Sequence, residues 1–255
     1  QKRKNKRRYR LTVSGFSLND KCHPNPKMYH QPNVIALKSF DKWLICTIVF
    51  ALSYATVLAS TISDAALHWD EINHLNGALL LTRGQLGDYV AAHSYYPPLF
   101  NLVTAGYFLA AGANVFTARL VSLSFTVLSI LLIYGAAETL YNHKVGFLAA
   151  VLFGIMPGVV WFSGLAMIES MLIFAVTFSL LSFFRWLQTN QTKYFSMGTA
   201  ALALGIFVKY QILVIVPLTV LFLLLFWGNA SAVRAQLTQL RIKPLWVGVG
   251  FVIAV

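Results

Sequence analysis

The chain has 255 residues, of which 58% are hydrophobic and 11% are charged, and its formal net charge at pH 7 is +12. Soluble domains are about 45–50% apolar and about 25% charged. A water-soluble globular domain is therefore excluded, because one aqueous core cannot bury this much apolar surface. The two cysteines, Cys22 and Cys46, lie in the tail and in the first apolar run, which excludes a disulfide framework.

Residues 1–42 form a basic tail in which Lys and Arg far outnumber the two acidic residues, Asp20 and Asp41. A basic block beside a membrane span is a signal of cytoplasmic location, and it also attracts anionic membrane lipids. No nucleic-acid-binding module accompanies the charge, so we expect no nucleic-acid partner. The predicted organisation is a disordered cytoplasmic tail over residues 1–42 and a membrane module over residues 43–255.

Eight apolar runs follow the tail, and about 20 apolar residues are needed for a helix to cross a ~30 Å hydrocarbon core. We therefore predict an all-α polytopic membrane protein. The last run is still open at Val255, so we expect the chain to lack the C-terminal half of a longer protein. The runs cover residues 44–60, 98–113, 120–140, 145–162, 171–187, 195–208, 212–227 and 245 onward.

The run over residues 98–113 is predicted to lie in the outer interface. Its roughly 16 residues reach only about 24 Å as a helix. With this run outside, the basic residues at 143–144, 185–193 and 234–243 all face the cytoplasm, as the positive-inside rule expects. The alternative, in which the run crosses the membrane, leaves the two richest clusters outside. We therefore predict a large first outer loop over about residues 62–119 that carries interfacial helices.

Within this loop, Asp70 and Glu71 precede apolar residues at helical spacing, which predicts an amphipathic helix that opens with both acids. Acids in a first turn gain about 0.3–1 kcal/mol from the helix dipole, so a structural role alone would explain them. His68, Trp69 and His74 lie within two turns of the same helix, and this grouping favours a polar site.

Three further residues are predicted to lie at the outer boundary. Tyr96 precedes Pro97 and Pro98, Glu169 lies between two apolar runs, and Lys209 is the one charge between residues 193 and 234. A solvated turn would explain Glu169, and snorkelling from a helix end would explain Lys209. Two acids and a lysine also suit a hydroxyl that must be deprotonated and a phosphate leaving group.

The order of these motifs resembles that of the GT-C membrane glycosyltransferases, in the branch of protein O-mannosyltransferases and aminoarabinose lipid A transferases. The resemblance covers about residues 64–217. In the aminoarabinose branch a Lys precedes the two prolines, and a Tyr stands where this chain has His74. The motifs that carry the resemblance are Asp70-Glu71, Gly84 with Gly87-Asp88, Tyr96-Pro97-Pro98-Leu99, Ala118-Arg119-Leu120, Glu169 and Lys209.

The resemblance implies a GT-C-type helix bundle that takes a sugar from a polyprenyl-phosphate donor. It implies that Asp70 is catalytic with Glu71 beside it, and that Glu169 is a second acid where relatives carry Asp. Lys209 would contact the donor phosphate, with Arg119 beside it, and His74 and Tyr96 would contact substrate. We expect no certain cofactor; a divalent cation is compatible with the acids, but no ligand spacing requires one.

We therefore predict a multi-pass glycosyltransferase of the plasma membrane or endoplasmic reticulum, with a cytoplasmic N-terminus and an outer or lumenal active site. Its acceptor is a lipid, a glycan or a protein. The alternative is a transporter or lipid-carrier flippase, which would need charges near mid-membrane or broken helices in paired halves. A non-catalytic scaffold explains the spans but leaves the clustered acids and Lys209 without a role.

Overall fold

The computed structural model describes residues 41–62, 66–214 and 217, and within these ranges the chain is helical and contains no strand. The prediction of an all-α fold is confirmed. The tail up to residue 40 and the apolar runs beyond residue 217 lie outside the described residues. The helices are α1 (Lys42–Thr61), α2 (Trp69–Thr82), α3 (Leu86–His93), α4 (Leu99–Ala111), α5 (Val115–Leu140), α6 (His143–Gly154), α7 (Pro157–Ser163), α8 (Ile168–Thr189), α9 (Thr192–Ile206) and a 3-10 helix (Tyr210–Val214).

Three of the described helices, α1, α5 and α8, are long and apolar enough to cross a membrane. The protein is therefore an integral membrane protein. The pair α6 and α7 makes a fourth span if it crosses as one unit, but it is bent by 65° at its break. The apolar run over residues 145–162 therefore forms two helices and not one continuous helix. Pro157 is the first residue of α7. Because proline has no N–H, it cannot donate the backbone hydrogen bond that would continue α6.

Two shorter helices differ from full spans. The 13 residues of α4 rise only about 20 Å. The helix packs against α2 and α5 through Phe100, Ala105 and Phe108, which are all buried. That this segment belongs to an outer loop stays a prediction. The 15 residues of α9 are likewise fewer than the roughly 20 that a complete crossing needs.

Helix α5 is the centre of the bundle and packs against α1, α4, α6, α7 and α8. Its apolar side chains Val121 and Ile130 are fully buried in two separate clusters, one toward α4 and α8 and one toward α1 and α6. Gly146 lets α6 approach closely, because a Cβ there would lie 2.9 Å from the Tyr134 carbonyl oxygen. This packing fixes both ends of α5 against its neighbours.

The two ends of the bundle carry different polar groups. At one end, Asp41 before α1, Glu138 in α5 and His143 in α6 meet, with His143 Nδ1 at 2.6 Å from Asp41 and 2.9 Å from Glu138. Asp41 also caps α1 by accepting a hydrogen bond from the Trp43 amide at 3.0 Å. The opposite end joins the end of α1 and the starts of α5 and α8 to helices α2 and α4, and it holds the predicted site residues.

Candidate active site

Helix α2 begins with a reciprocal cap that sets the directions of its two acids. His68 Nδ1 accepts from the Asp70 amide at 3.3 Å, and Glu71 Oε2 accepts from the His68 amide at 3.0 Å. The predicted helix that opens with Asp70 and Glu71 is confirmed. Neighbouring residues on a helix point about 100° apart, so the Asp70 side chain is 47% exposed whereas that of Glu71 is fully buried.

Glu71 forms a fully buried ion pair with Arg119 of α5. The Arg119 Nε and Nη2 atoms each donate to one Glu71 oxygen at 2.8 Å, and both side chains are 0% exposed. Arg119 Nη1 also donates to the carbonyl of Ile62, and Nη2 donates to that of Ala66 at 3.1 Å. The backbone amide of Ala166 donates to Glu71 Oε1 at 2.7 Å. The pair therefore joins the end of α1, the segment before α2, α5 and the segment before α8.

The environment keeps Glu71 ionised. Burial by itself raises the pKa of this carboxyl, but the hydrogen bonds from Arg119, His68 and Ala166 and the arginine charge outweigh it and hold the pKa below its ordinary value. Glu71 and Arg119 thus remain a charged pair at neutral pH, with neither side chain open to solvent.

A second ion pair at the same end is accessible. Lys209 Nζ donates to Glu169 Oε1 at 2.8 Å, and the two side chains are about a quarter exposed, 26% and 25%. The other carboxylate oxygen, Glu169 Oε2, has no hydrogen-bond partner among the described residues. This oxygen is buried, whereas the Lys209 ammonium has three donors and can still bind a ligand.

The backbone holds this second pair in place. Ser122 Oγ of α5 contacts both the amide and the carbonyl of Met167, at 3.0 and 2.9 Å, just before Glu169 in the first turn of α8. On the other side, the Leu99 amide at the start of α4 donates to the Phe207 carbonyl at 2.9 Å. Lys209 therefore lies just after a turn that is hydrogen-bonded to the start of α4.

His74 and Tyr96 lie beside the acids. Their rings are 5.2 Å apart. Burial lowers the pKa of His74, while its bond to Asn101 and the charges of Glu169 and Asp70 partly oppose the shift. Partial burial raises the pKa of Tyr96, and the charges of Asp70 and Glu169 add to this effect. The charges of Asp70 and Glu169 therefore act on both rings.

Sequence reasoning missed the residue that holds His74. Asn101 Oδ1 lies 3.1 Å from His74 Nδ1, and Asn101 Nδ2 donates to the Tyr89 hydroxyl at 3.3 Å. Asn101 is in the apolar helix α4, and its hydrophobic neighbours gave no indication of a functional role. The available signal was an amide side chain within an apolar stretch, since such groups need a buried partner.

One cluster of His, Asp and Glu side chains in the described part of the chain could hold a metal ion. Within the described ranges, the one group of three His, Asp or Glu ligand atoms that lie within 4.8 Å of each other consists of Asp41, Glu138 and His143. These residues are at the end of the bundle opposite Asp70 and Glu169. A divalent cation beside the accessible acids stays a prediction.

An all-α membrane bundle with acids and a lysine at one end is consistent with the class of GT-C membrane glycosyltransferases. The family is shown by comparison: the profile of the dolichyl-phosphate-mannose-protein mannosyltransferases matches residues 95–253. The chain belongs to this family and is a mannosyltransferase-type glycosyltransferase. The match includes Tyr96, Arg119, Glu169 and Lys209, and it begins after Asp70. No curated protein and no solved structure matches the chain.

Proposed function

We propose that the protein transfers mannose from a polyprenyl-phosphate donor to an acceptor hydroxyl at the outer or lumenal face of the membrane. The observation that carries the proposal is the contrast between two neighbouring acids. Asp70 is half exposed, and its charge acts on Tyr96 together with that of Glu169, whereas Glu71 is fully buried. The family description supports mannose as the sugar and protein as the first acceptor to test, with lipid and glycan acceptors next.

Asp70 is the proposed general base. In a single displacement, the acceptor oxygen attacks the anomeric carbon of the sugar, and the bond from that carbon to the phosphate oxygen breaks. The proton of the acceptor hydroxyl passes to Asp70, and the electron pair leaves with the polyprenyl phosphate. The half-exposed carboxylate fits this role, because a base must come within hydrogen-bond reach of the proton that it takes.

Lys209 is the proposed phosphate ligand. Its ammonium faces developing negative charge on the departing phosphate, which is where a fixed cation lowers the barrier most. Glu169 orients the ammonium through Oε1. The ion pair thus holds the Lys209 ammonium in place before the donor phosphate binds.

For Glu71 and Arg119 we propose a positioning role instead of the catalytic and phosphate-binding roles expected from the resemblance. A phosphate could reach the Arg119 guanidinium only if the buried pair opened, and this would leave a buried carboxylate without its charge partner. By joining α1, α5 and the outer loop, the pair sets the direction in which Asp70 points.

The orientation of the bundle follows from the charge pattern. A cytoplasmic basic tail puts the start of α1 inside, and the end that holds Asp70 and Lys209 then lies outside, at the level of the membrane interface. Both the plasma membrane and the endoplasmic reticulum satisfy this orientation. A polyprenyl donor would approach from the lipid, and a polar acceptor from the aqueous side.

The test uses the full-length protein in membranes with a panel of radiolabelled polyprenyl-phosphate sugars and with peptide, lipid and glycan acceptors. Asp70→Asn should abolish transfer, whereas the matched control Asp88→Asn, an exposed acid of the same loop, should leave it intact. Transfer that persists in Asp70→Asn would move the base elsewhere, to Glu169 first. No transfer from any donor would favour the transporter or flippase alternative.

A further inference from the structure

A line of buried polar contacts runs from the candidate site into the outer loop. It connects His74 of α2 to Asn101 of α4 and then to Tyr89 of α3, through contacts of 3.1 and 3.3 Å. The three side chains are 3%, 1% and 7% exposed. Buried polar groups are tolerated when their hydrogen bonds are made, so these contacts fix the arrangement of all three helices.

Gly77 provides the space for this arrangement. It lies in α2, and a Cβ at its position would be 2.6 Å from Asn101 Nδ2 and 3.2 Å from the Tyr89 ring. Any larger residue would displace the Asn101 amide or the tyrosine. A glycine in the middle of a helix is otherwise unfavourable, so the space that it leaves has a structural use.

The orientation of the amide determines which nitrogen of His74 carries a proton. Asn101 presents its oxygen to His74 Nδ1 and its NH₂ to Tyr89, and an amide oxygen can only accept. With the amide in this orientation His74 Nδ1 donates, and the proton of the neutral ring is then on Nδ1. Burial lowers the pKa of His74, which keeps the ring neutral at pH 7 and leaves Nε2 as an acceptor.

Nε2 makes no hydrogen bond to the described residues. The charged groups that act on the ring from α2 and α8 are Asp70 and Glu169, and both are carboxylates that can only accept. A ligand that donates O–H is thus the complementary partner for Nε2 and for the half-exposed Asp70. Sugars and alcohols present such hydroxyls.

We propose that Asn101 is a positioning residue that holds His74 as its Nδ1–H tautomer, so that His74 Nε2 accepts a hydrogen bond from a substrate hydroxyl. Tyr89 and Gly77 hold the Asn101 amide in this orientation. The inference rests on the proposed function, since the hydroxyl belongs either to the donor sugar or to the acceptor.

The tautomer can be measured without any substrate. In full-length protein labelled with ¹⁵N-histidine and reconstituted in nanodiscs, the His74 signals are assigned by their loss in His74→Gln. We expect a protonated Nδ1 and an unprotonated Nε2 at pH 7 in the wild type. Asn101→Leu should lose this preference. A wild-type ring protonated on Nε2, or a tautomer unchanged in Asn101→Leu, would overturn the proposal.

Transfer kinetics then identify the hydroxyl. Gly77→Ala should preserve folding, because Ala favours helix more than Gly, but it should displace Asn101. Its matched control is Gly106→Ala in α4, where a Cβ meets nothing within 4 Å. Loss of one neutral hydrogen bond corresponds to a rise in KM of up to about tenfold. A higher KM for polyprenyl-phosphate mannose would place the hydroxyl on the donor sugar. A higher KM for the acceptor peptide would place the hydroxyl on the acceptor.

Unchanged KM values for both substrates in Gly77→Ala and Asn101→Leu would refute the contact between His74 and substrate. Failure of the proposed function is distinguishable from this result. If the wild type transfers no sugar from any donor, the kinetic arm has no signal, but the ¹⁵N spectra still decide whether Asn101 controls the His74 tautomer.

Discussion

Replacement of Glu71 by Gln should destabilise the fold far more than replacement of Glu169 by Gln, although both residues pair with a cation at the same end of the bundle. The Glu71 carboxylate accepts four hydrogen bonds, two from Arg119 and one each from the amides of His68 and Ala166. In Glu71→Gln the Arg119 charge stays buried without a counter-charge. In Glu169→Gln, Lys209 can turn toward water because it is a quarter exposed.

The magnitudes follow from the burial. Breaking a fully buried ion pair by removing one partner costs about 3–5 kcal/mol, whereas an accessible pair contributes about 0–1 kcal/mol. For a chain of this size about 1 kcal/mol corresponds to roughly 2–4 °C in Tm. We therefore expect Glu71→Gln to lower Tm by about 6–20 °C, and Glu169→Gln by less than about 4 °C.

The assay is thermal unfolding of the detergent-solubilised protein, followed by the loss of the monodisperse peak on size-exclusion chromatography. The double variant Glu71→Gln/Arg119→Met should recover part of the loss, because it removes the uncompensated charge. Equal Tm shifts for Glu71→Gln and Glu169→Gln would refute the proposal that the buried pair stabilises the fold and that the accessible pair binds substrate.

Three further predictions concern topology, pH and the opposite end of the bundle. In a background without native cysteines, Ala113→Cys should react with a membrane-impermeant thiol reagent from outside, and Gln191→Cys only after permeabilisation. The pKa of His74 in the folded protein is below its ordinary 6.5, so the unfolded chain binds the proton first as the pH falls below 6.5, and the stability of the fold decreases. Between pH 7 and 5.5, Tm should therefore decline less in His74→Gln than in the wild type. Asp41→Ala should cost about 0.5–2 kcal/mol through the lost helix cap, with transfer per folded molecule unchanged.

Apolar patterning and charge predicted much of the fold. The helices over residues 42–61, 115–140 and 168–189 follow the apolar runs, because backbone groups in lipid must be satisfied within the helix. The break between α6 and α7 was also visible in the sequence, at Pro157. It was missed because the apolar run continues across it, and hydropathy does not report lost backbone hydrogen bonds.

The division of roles within the site could not be predicted from the sequence. Asp70 and Glu71 are neighbours of the same chemical type, and their environments differ because the partner of Glu71 is 48 residues away in α5. The partner of His74, Asn101, is likewise fixed by the packing of α4 on α2. Such long-range pairs depend on helix rotation and register, which a single sequence with a resemblance to a family does not specify.

The most direct test of the account is single-turnover transfer of radiolabelled mannose from its polyprenyl phosphate, measured against donor concentration for the wild type, Asp70→Asn and Lys209→Met. Lys144→Met, an exposed lysine at the opposite end, is the matched control for Lys209. We predict that Asp70→Asn loses the rate at unchanged half-saturation by donor, and that Lys209→Met raises the half-saturating concentration. A wild-type rate and half-saturation in both variants would contradict the placement of the active site at this end of the bundle.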